Sequence, residues 1–166
     1  MKSPGRKINK IKKSRNHNAL NFFAEAGLLK RIKRSGWWVV GISNPESVAE
    51  HSFRCAVIGY YMAHLERVNP YKVVVMTLFG DIHEARINDL HKMGHHYIDF
   101  KGAEKKVFKE QIGGLKENIK LELSRFRSEF DNQLSKESIV ARDADILECL
   151  LQAKEYYDQG YLGAKK

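Results

Sequence analysis

The sequence has only two cysteines, three prolines and two tryptophans among its 166 residues. Neither cysteine belongs to a CxxC or CxxH pair, so a structural zinc site of that type is not expected, and Cys55 and Cys149 are predicted to be buried free thiols. No run approaches the roughly 20 apolar residues of a transmembrane helix, so no membrane contact is expected. No apolar stretch follows the basic N-terminus as in a signal peptide, which predicts a cytoplasmic protein.

Positive charge is concentrated at the N-terminus. The net charge is +9, and seven basic residues with no acid among them fall in the first sixteen positions. From residue 17 onward the balance is only +2, from 22 basic and 20 acidic residues. Residues 1–17 are therefore predicted to be a basic, disordered tail, and residues 18–166 one folded domain. A solvated leader is the favoured interpretation of the tail, and a nonspecific nucleic-acid contact is the alternative.

Helix-start signals are strong in the middle of the chain. Ser47 and Glu50 form a Ser-x-x-Glu capping box ahead of an apolar-periodic run that reaches about residue 66. Residues 69–70, Asn-Pro, place proline at the first position of the next helix. Residues 73–82 are apolar nearly all round, which is typical of a central buried helix.

The remaining segments also favour helices. Apolar spacing predicts a first helix at about residues 18–33 and a last one at about 136–157, and residues 37–41 are expected to form a short extended connection. A long charged helix is predicted at about residues 103–132, bent or broken at Gly113-Gly114. With no strand-rich region, the sequence predicts an all-α, single-domain protein.

Histidine and paired acids occur in three helical stretches, at His51, at Asp81 and Glu84 with Asp89 following, and at Asp145. A mixed histidine and carboxylate shell suits Mn, Fe, Co, Ni or Zn, and such an ion promotes phosphate ester hydrolysis, with a free carboxylate for proton transfer. His51 alone also fits a core histidine, and Asp145 a surface acid. Asp81 is harder to explain as packing, because an unpaired buried carboxylate is costly.

Four segments in order carry a more specific signal. They are Arg34-Ser-Gly-Trp37, Pro45 to Ser52, Asp81 through Glu84 to Asp89, and Asp145-x-Leu-Glu148 with Gln152-Ala153 and Glu155-Tyr156. Together they resemble the HD-domain superfamily of metal-dependent phosphohydrolases, in particular the 5′-deoxynucleotidase branch, over about residues 18–160. The resemblance implies an HD-type helical bundle.

The resemblance also implies roles for individual residues. One divalent transition metal (Mn, Co, Fe, Ni or Zn) is expected at His51, Asp81 and Asp145. Glu84 is expected to position or deprotonate the attacking water. Asp89 is expected to touch the sugar or to assist protonation of the leaving group.

The expected substrate is a nucleoside 5′-monophosphate, preferentially a deoxynucleotide. By the same resemblance, Arg34 and Trp37 would flank its phosphate and its nucleoside. Members of this branch are commonly dimers, so a homodimer is expected.

Gly80 departs from the family pattern, because the histidine that gives the superfamily its name belongs at this position. Glycine has no ligand atom and weakens a helix interior by roughly 0.5–1 kcal/mol relative to alanine. In one interpretation the metal keeps three protein ligands and an extra water. In a second, His83 contributes from the same helix face. In a third, the site holds no catalytic metal, and the chain is a non-catalytic nucleotide-binding or regulatory domain.

Overall fold

The structure, a computed structural model, describes residues 19–165, and the predicted basic tail of residues 1–17 lies outside them. The helices of this part are α1 (residues 19–28), α2 (Gly36–Val39), α3 (Val48–Leu65), α4 (Pro70–Phe79), α5 (Glu84–Ile87), α6 (Phe100–Ile112), α7 (Glu117–Asn132) and α8 (Lys136–Asp158). Short 3₁₀ turns cover Gly94–His96 and Leu162–Lys165. Within residues 19–165 the β-type pairing is a single isolated bridge, Lys33 with Ser47. The all-α prediction is confirmed.

Helices α3 and α4 start where the sequence predicts. The Ser47 hydroxyl accepts a hydrogen bond from the Glu50 backbone, and the Glu50 side chain accepts one from the Ser47 backbone, so the capping box of α3 is complete. Asn69 caps α4 by accepting from the Lys72 backbone at 3.3 Å, with proline at the first helical position. Each cap satisfies a backbone donor that the first helical turn leaves without a partner.

Three segments differ from the prediction. The first helix ends at residue 28 rather than near residue 33, and Lys33 instead pairs with Ser47. Residues 37–41 are not extended, because Trp37 N–H donates to the Arg34 carbonyl at 3.2 Å and closes a helical turn at α2. The central helix ends at Phe79 rather than near residue 82. There the Gly80 carbonyl accepts a hydrogen bond of 2.7 Å from Arg127 Nη1, and residues 80–83 form a turn that leads into α5.

Helices α3, α4 and α8 pack closely together, and this packing positions the residues described below. At Gly59 of α3, an added Cβ atom would lie 3.0 Å from Val73 Cγ1 of α4 and 3.6 Å from Ala144 of α8. Glycine therefore sets the closest approach of the three helices. In the described part of the chain, none of the helices combines the length and the apolar character needed to cross a membrane.

Candidate active site

His51 lies at the centre of a group of acids. It occupies the first turn of α3 and is only 1% exposed. Its Nε2 atom lies 3.1 Å from Asp145 Oδ1 on α8 and 3.5 Å from Asp81 Oδ2 in the turn after α4. The three predicted ligands, which are far apart in sequence, thus meet at one ring nitrogen.

Glu148 and Arg54 fix the orientation of the His51 ring. His51 Nδ1 is hydrogen-bonded to Glu148 Oε2, and Glu148 is fully buried. Arg54 Nε donates to the other Glu148 oxygen, Oε1, at 2.8 Å. An ionised carboxylate only accepts hydrogen bonds, so Nδ1 carries the hydrogen and Nε2 faces the acids. A carboxylate behind a histidine is also the arrangement that orients metal-binding imidazoles in proteins.

A second set of side chains borders Asp81. Arg34 Nη1 lies 3.8 Å from Asp81 Oδ2 and 3.6 Å from Asp89 Oδ1. Asp89 also accepts a hydrogen bond from the Ser35 backbone N–H. Glu84, at the start of α5, is 5% exposed, and its Oε2 atom has no hydrogen-bond partner. A buried carboxyl oxygen without a partner is costly to a fold and is a frequent mark of a functional site.

The pKa values of these groups reflect crowded negative charge. Burial, and then repulsion from Asp81 and Asp89, raises the pKa of Glu84 to about 10, although Arg34 and His51 oppose the rise. Burial lowers the pKa of His51, but hydrogen bonds to neighbours that include Asp145 and Glu148 raise it by more, and the net shift is upward. The acids therefore favour the protonated, positively charged form of His51, and a metal ion bound at Nε2 would take the place of that proton.

This donor set fits a divalent metal ion. It combines one neutral imidazole nitrogen with carboxylate oxygens, the mixture that borderline transition metals prefer. The Glu84 oxygen without a partner, and the repulsion of Glu84 by Asp81 and Asp89, are features that a bound cation would relieve. Among the described residues, His51 and Asp145 also form a group with Cys149 whose potential ligand atoms all lie within 4.8 Å of one another, whereas Asp81 belongs to no such group of three.

Position 80 provides no ligand in this structure, and His83 does not replace one. Gly80 has helical backbone angles, with φ −53° and ψ −47°. His83 is 2% exposed, and both of its ring nitrogens contact residues outside the group around His51. Its Nδ1 atom lies 3.2 Å from Arg127 Nη1, and its Nε2 atom 3.2 Å from Glu104 Oε1. The interpretation in which His83 contributes to the site is therefore not supported by these contacts.

Trp37 is the one predicted site residue whose side-chain contacts lie elsewhere. Its indole Nε1 donates to Glu46 Oε1 at 3.1 Å, and its ring meets the Tyr156 ring edge-on at a centroid distance of 5.2 Å. Glu46 and Tyr156 also line an open cleft next to Arg54, and none of the seven predicted site residues lines that cleft. The other six predicted residues are linked to one another by contacts or by charge.

Three residues of the site had no role assigned from the sequence. Glu148 and Arg54 orient His51, and Cys149 accepts a hydrogen bond from Arg34 Nη2 at a donor–sulfur distance of 3.3 Å. Helical spacing offered a signal, because residues three or four apart share a face. Arg54 follows His51 by three positions, and Glu148 and Cys149 follow Asp145 by three and four.

Comparisons with known proteins show what this chain is similar to. A family model described as "HD domain" matches residues 26–165. The chain is 31% identical over 142 residues to the 5′-deoxynucleotidase HDDC2 of Bos taurus, which covers 85% of this chain and 69% of that protein.

Two solved structures extend the comparison. The PH0347 protein of Pyrococcus horikoshii OT3 is similar with a TM-score of 0.76 and 31% identity, over 86% of this chain and 80% of that one. A "predicted metal-dependent phosphohydrolase" from Magnetospirillum magnetotacticum MS-1 gives a TM-score of 0.70 and 27% identity, over 84% of this chain and 71% of that one.

Replacement of Glu148 tests the buried network around His51. We expect Glu148→Ala to lower the free energy of unfolding by roughly 3–5 kcal/mol, because it leaves His51 and Arg54 without their buried partner. Glu155→Ala is the matched control, since Glu155 also pairs with Arg54, at 2.7 Å, but its side chain is 50% exposed. That variant should lose only about 0–1 kcal/mol. Urea denaturation of both variants measures the difference, and equal losses would contradict the role given to Glu148.

Proposed function

This chain belongs to the HD domain family, and we propose that it is a metal-dependent phosphohydrolase that removes the 5′-phosphate from nucleoside monophosphates, preferentially deoxynucleotides. The observation that carries this proposal is the convergence of His51 Nε2 with Asp145 and Asp81, at 3.1 and 3.5 Å. The buried carboxyl of Glu84 interacts electrostatically with Asp81, with His51 and with the guanidinium of Arg34. The name of the Bos taurus relative supports the substrate class, and the name of the Magnetospirillum magnetotacticum structure supports metal-dependent phosphate hydrolysis.

Metal binding is proposed at His51, Asp81 and Asp145. When bound there, a divalent ion supplies Lewis acidity toward a phosphoryl oxygen and makes hydroxide available near neutral pH. The chain's part is to hold the imidazole in one orientation, through Glu148, and to place carboxylates on its other side. The identity of the ion stays open among Mn, Co, Fe, Ni and Zn.

Glu84 is proposed to take the proton of the attacking water. Its pKa depends strongly on the charges around it, since Asp81 and Asp89 raise it and Arg34 and His51 lower it. Added positive charge next to Asp81 acts in the same direction as Arg34 and favours the ionised form, which accepts a proton. A carboxylate whose pKa is raised holds a proton more strongly than an ordinary one, which suits general base catalysis once the group is ionised.

Arg34 is proposed to bind the substrate phosphate. Its planar guanidinium offers paired donors that match phosphate oxygens, and it stabilises negative charge that develops on them. Asp89, which lies 3.6 Å from Arg34, is proposed to hold this side chain and to reach the sugar or the leaving group. Trp37 is proposed to flank the nucleoside, from its position against Tyr156.

A non-catalytic nucleotide-binding or regulatory domain is the second candidate function, and Gly80 is the observation that favours it. Without the histidine expected there, the chain has one fewer ligand than the family pattern implies. In that case nucleotide would bind next to Arg34 without turnover. Calorimetric binding without phosphate release would support this candidate, and ready turnover would exclude it.

We also propose that the chain forms a homodimer in the cytoplasm. The dimer follows from the resemblance, and an exposed apolar stripe on α3 is consistent with it. Its members lie at helical spacing and are more than half exposed: Phe53, Val57, Tyr60 and Tyr61. Burial of such a stripe against a second copy would remove apolar surface from water.

Phosphate release from deoxynucleoside 5′-monophosphates, measured with a panel of divalent metals, tests the leading function. We expect Asp145→Asn to lower activity by at least roughly 100-fold. Loss of an outer partner of a metal ligand costs up to about that much, and Asp145 is proposed as a ligand itself. Asp143→Asn is the matched control, because Asp143 lies two positions away on α8, is exposed, and should keep full activity. Absence of turnover by the unmodified chain on every nucleotide and metal would refute the proposal.

Glu84→Gln separates proton transfer from metal binding. We expect kcat to fall roughly 10²–10⁴-fold, because the amide cannot accept the proton, while metal content stays unchanged. The free energy of unfolding should stay level or rise, since the amide removes a carboxyl that Asp81 and Asp89 repel. Glu110→Gln, on an exposed side chain that pairs with Arg86, controls for charge loss. Unchanged kcat in Glu84→Gln would remove Glu84 from the mechanism.

Metal content of the purified protein by mass spectrometry, compared with Gly80→His, tests the departure from the family pattern. We expect about one ion per chain in both proteins, bound more tightly by Gly80→His because it gains a ligand. The helical backbone at Gly80 accepts a side chain, although its Cβ would lie only 3.1 Å from the Met76 carbonyl oxygen. Metal in Gly80→His alone would instead favour the non-catalytic candidate.

A further inference from the structure

We propose that Cys149 is a ligand of the metal ion, so that this chain holds its ion with a sulfur atom where the family pattern uses the histidine at position 80. The inference rests on the metal site of the proposed function. It assigns to this chain a mixed shell of imidazole, carboxylate and thiolate. None of the sequence motifs described above predicted a thiolate ligand.

The geometry places three different donors together. One ligand atom each from His51, Asp145 and Cys149 can be chosen so that all three lie within 4.8 Å of one another. Asp145 and Cys149 are four residues apart on α8 and therefore share a helix face. His51 meets that face from α3, with its Nε2 atom 3.1 Å from Asp145.

One cationic side chain already contacts the sulfur. Arg34 Nη2 donates to Cys149 Sγ at 3.3 Å, and the same guanidinium faces Asp81. Arg34 thus connects Sγ to the carboxylate of Asp81. Glu84, which interacts electrostatically with both Asp81 and Arg34, is 5% exposed and keeps one carboxyl oxygen without a partner. A cation shared by these groups would compensate charge that Arg34 alone does not.

Cys55, the other cysteine near His51, is a poorer ligand. It forms a group with His51 and Glu148, but both Glu148 oxygens are already engaged, one by His51 Nδ1 and the other by Arg54. A metal ion there would have to displace the contact that orients the imidazole. Cys55 is also 2% exposed, whereas Cys149 is only partly buried. The two cysteines therefore make a matched pair of variants.

Binding to the ion follows ordinary thiol chemistry. Burial raises the pKa of the free Cys149 thiol, with Arg34 and His51 opposing. A coordinating thiol loses its proton on metal binding, so the S–H bond breaks, a metal–sulfur bond forms, and the proton passes to solvent. The thiolate keeps lone pairs that accept the hydrogen bond from Arg34 Nη2.

A thiolate ligand changes which metal the site prefers. Soft sulfur ligands favour Zn²⁺ over Mn²⁺ and Mg²⁺, which prefer carboxylate and water oxygens. The chain is therefore expected to select zinc or cobalt over manganese. Removal of the sulfur should shift that selectivity back toward manganese.

Cobalt spectroscopy on the full chain tests the assignment without any enzyme assay. Titration of the metal-stripped protein with Co²⁺ should produce a near-ultraviolet sulfur-to-cobalt charge-transfer band. Cys149→Ser should lose this band and bind Co²⁺ at least roughly 10–100-fold more weakly, the effect typical even of outer partners of metal ligands. Cys55→Ser should keep both the band and the affinity. Circular dichroism checks that each variant is folded.

The possible outcomes separate this proposal from the proposed function. If the unmodified chain binds Co²⁺ by equilibrium dialysis but shows no sulfur band, or if Cys55→Ser rather than Cys149→Ser loses the band, the Cys149 assignment is wrong and the metal site stands. If the chain binds no divalent ion, both proposals are wrong.

A second measurement needs no variant. Iodoacetamide labelling of the unmodified protein, mapped by mass spectrometry, should be slowed at Cys149 by at least about tenfold when Zn²⁺ is bound, because a metal-bound sulfur is a poor nucleophile and a metal ligand exchanges rarely at high affinity. Equal labelling of Cys149 with and without bound Zn²⁺ would overturn the assignment.

Discussion

The buried contact between His51 and Glu148 determines the geometry of the rest of the site. It joins α3 to α8 across 97 positions of sequence, and neither side chain is open to solvent. Glu148 tolerates full burial because His51 and Arg54 both bond to it. A buried ion pair of this kind adds little net stability, since desolvation offsets attraction, but loss of one partner is expensive. The contact therefore mainly fixes one arrangement, in which Nε2 faces the opposite set of acids.

Two acids of the site, Asp81 and Glu84, follow directly after the early end of α4. Had the helix continued through Glu84, Asp81 and Glu84 would lie three positions apart on one helix face. Instead the chain turns after Phe79, and Arg127 from α7 holds the Gly80 carbonyl at 2.7 Å. The turn presents Asp81 to His51 and starts α5 at Glu84, whose side chain is directed inward. The departure from regular helix thus coincides with the chemically unusual residues.

Local signals in the sequence predicted the fold well. The caps at Ser47 and Asn69 act within three residues, so they can be read directly, and both helices start where expected. The pair Gly113-Gly114 likewise separates α6 from α7 as predicted. Residues 37–41 were wrongly expected to be extended, because β-branched and aromatic residues favour strands on average while local hydrogen bonds close a helical turn here.

The site was predictable in part, through the resemblance rather than through spacing. Four motifs named His51, Asp81 and Asp145, and the structure brings them together. No local pattern shows that Glu148 orients a histidine 97 positions away, or that Cys149 faces Arg34 across 115 positions. Such contacts depend on how α3 and α8 cross, and that crossing is set by long-range packing at positions such as Gly59.

The acids of the site repel one another, so a cation that binds between them would stabilise the folded state. Ion binding and folding are therefore linked. The acids come from the turn after α4, from α5 and from α8, so their mutual repulsion acts between elements that packing holds together. A cation that binds only this folded arrangement stabilises it by about 2.7 kcal/mol at a concentration 100 times its dissociation constant. Gly80 removes one donor from this arrangement but none of its negative charge. The acids that attract a cation are thus all present. The coordinate bonds to a bound ion would come from the remaining side chains. The sulfur atom of Cys149 shares a helix face with Asp145 and lies within 4.8 Å of ligand atoms of Asp145 and His51, which is why it is the proposed replacement.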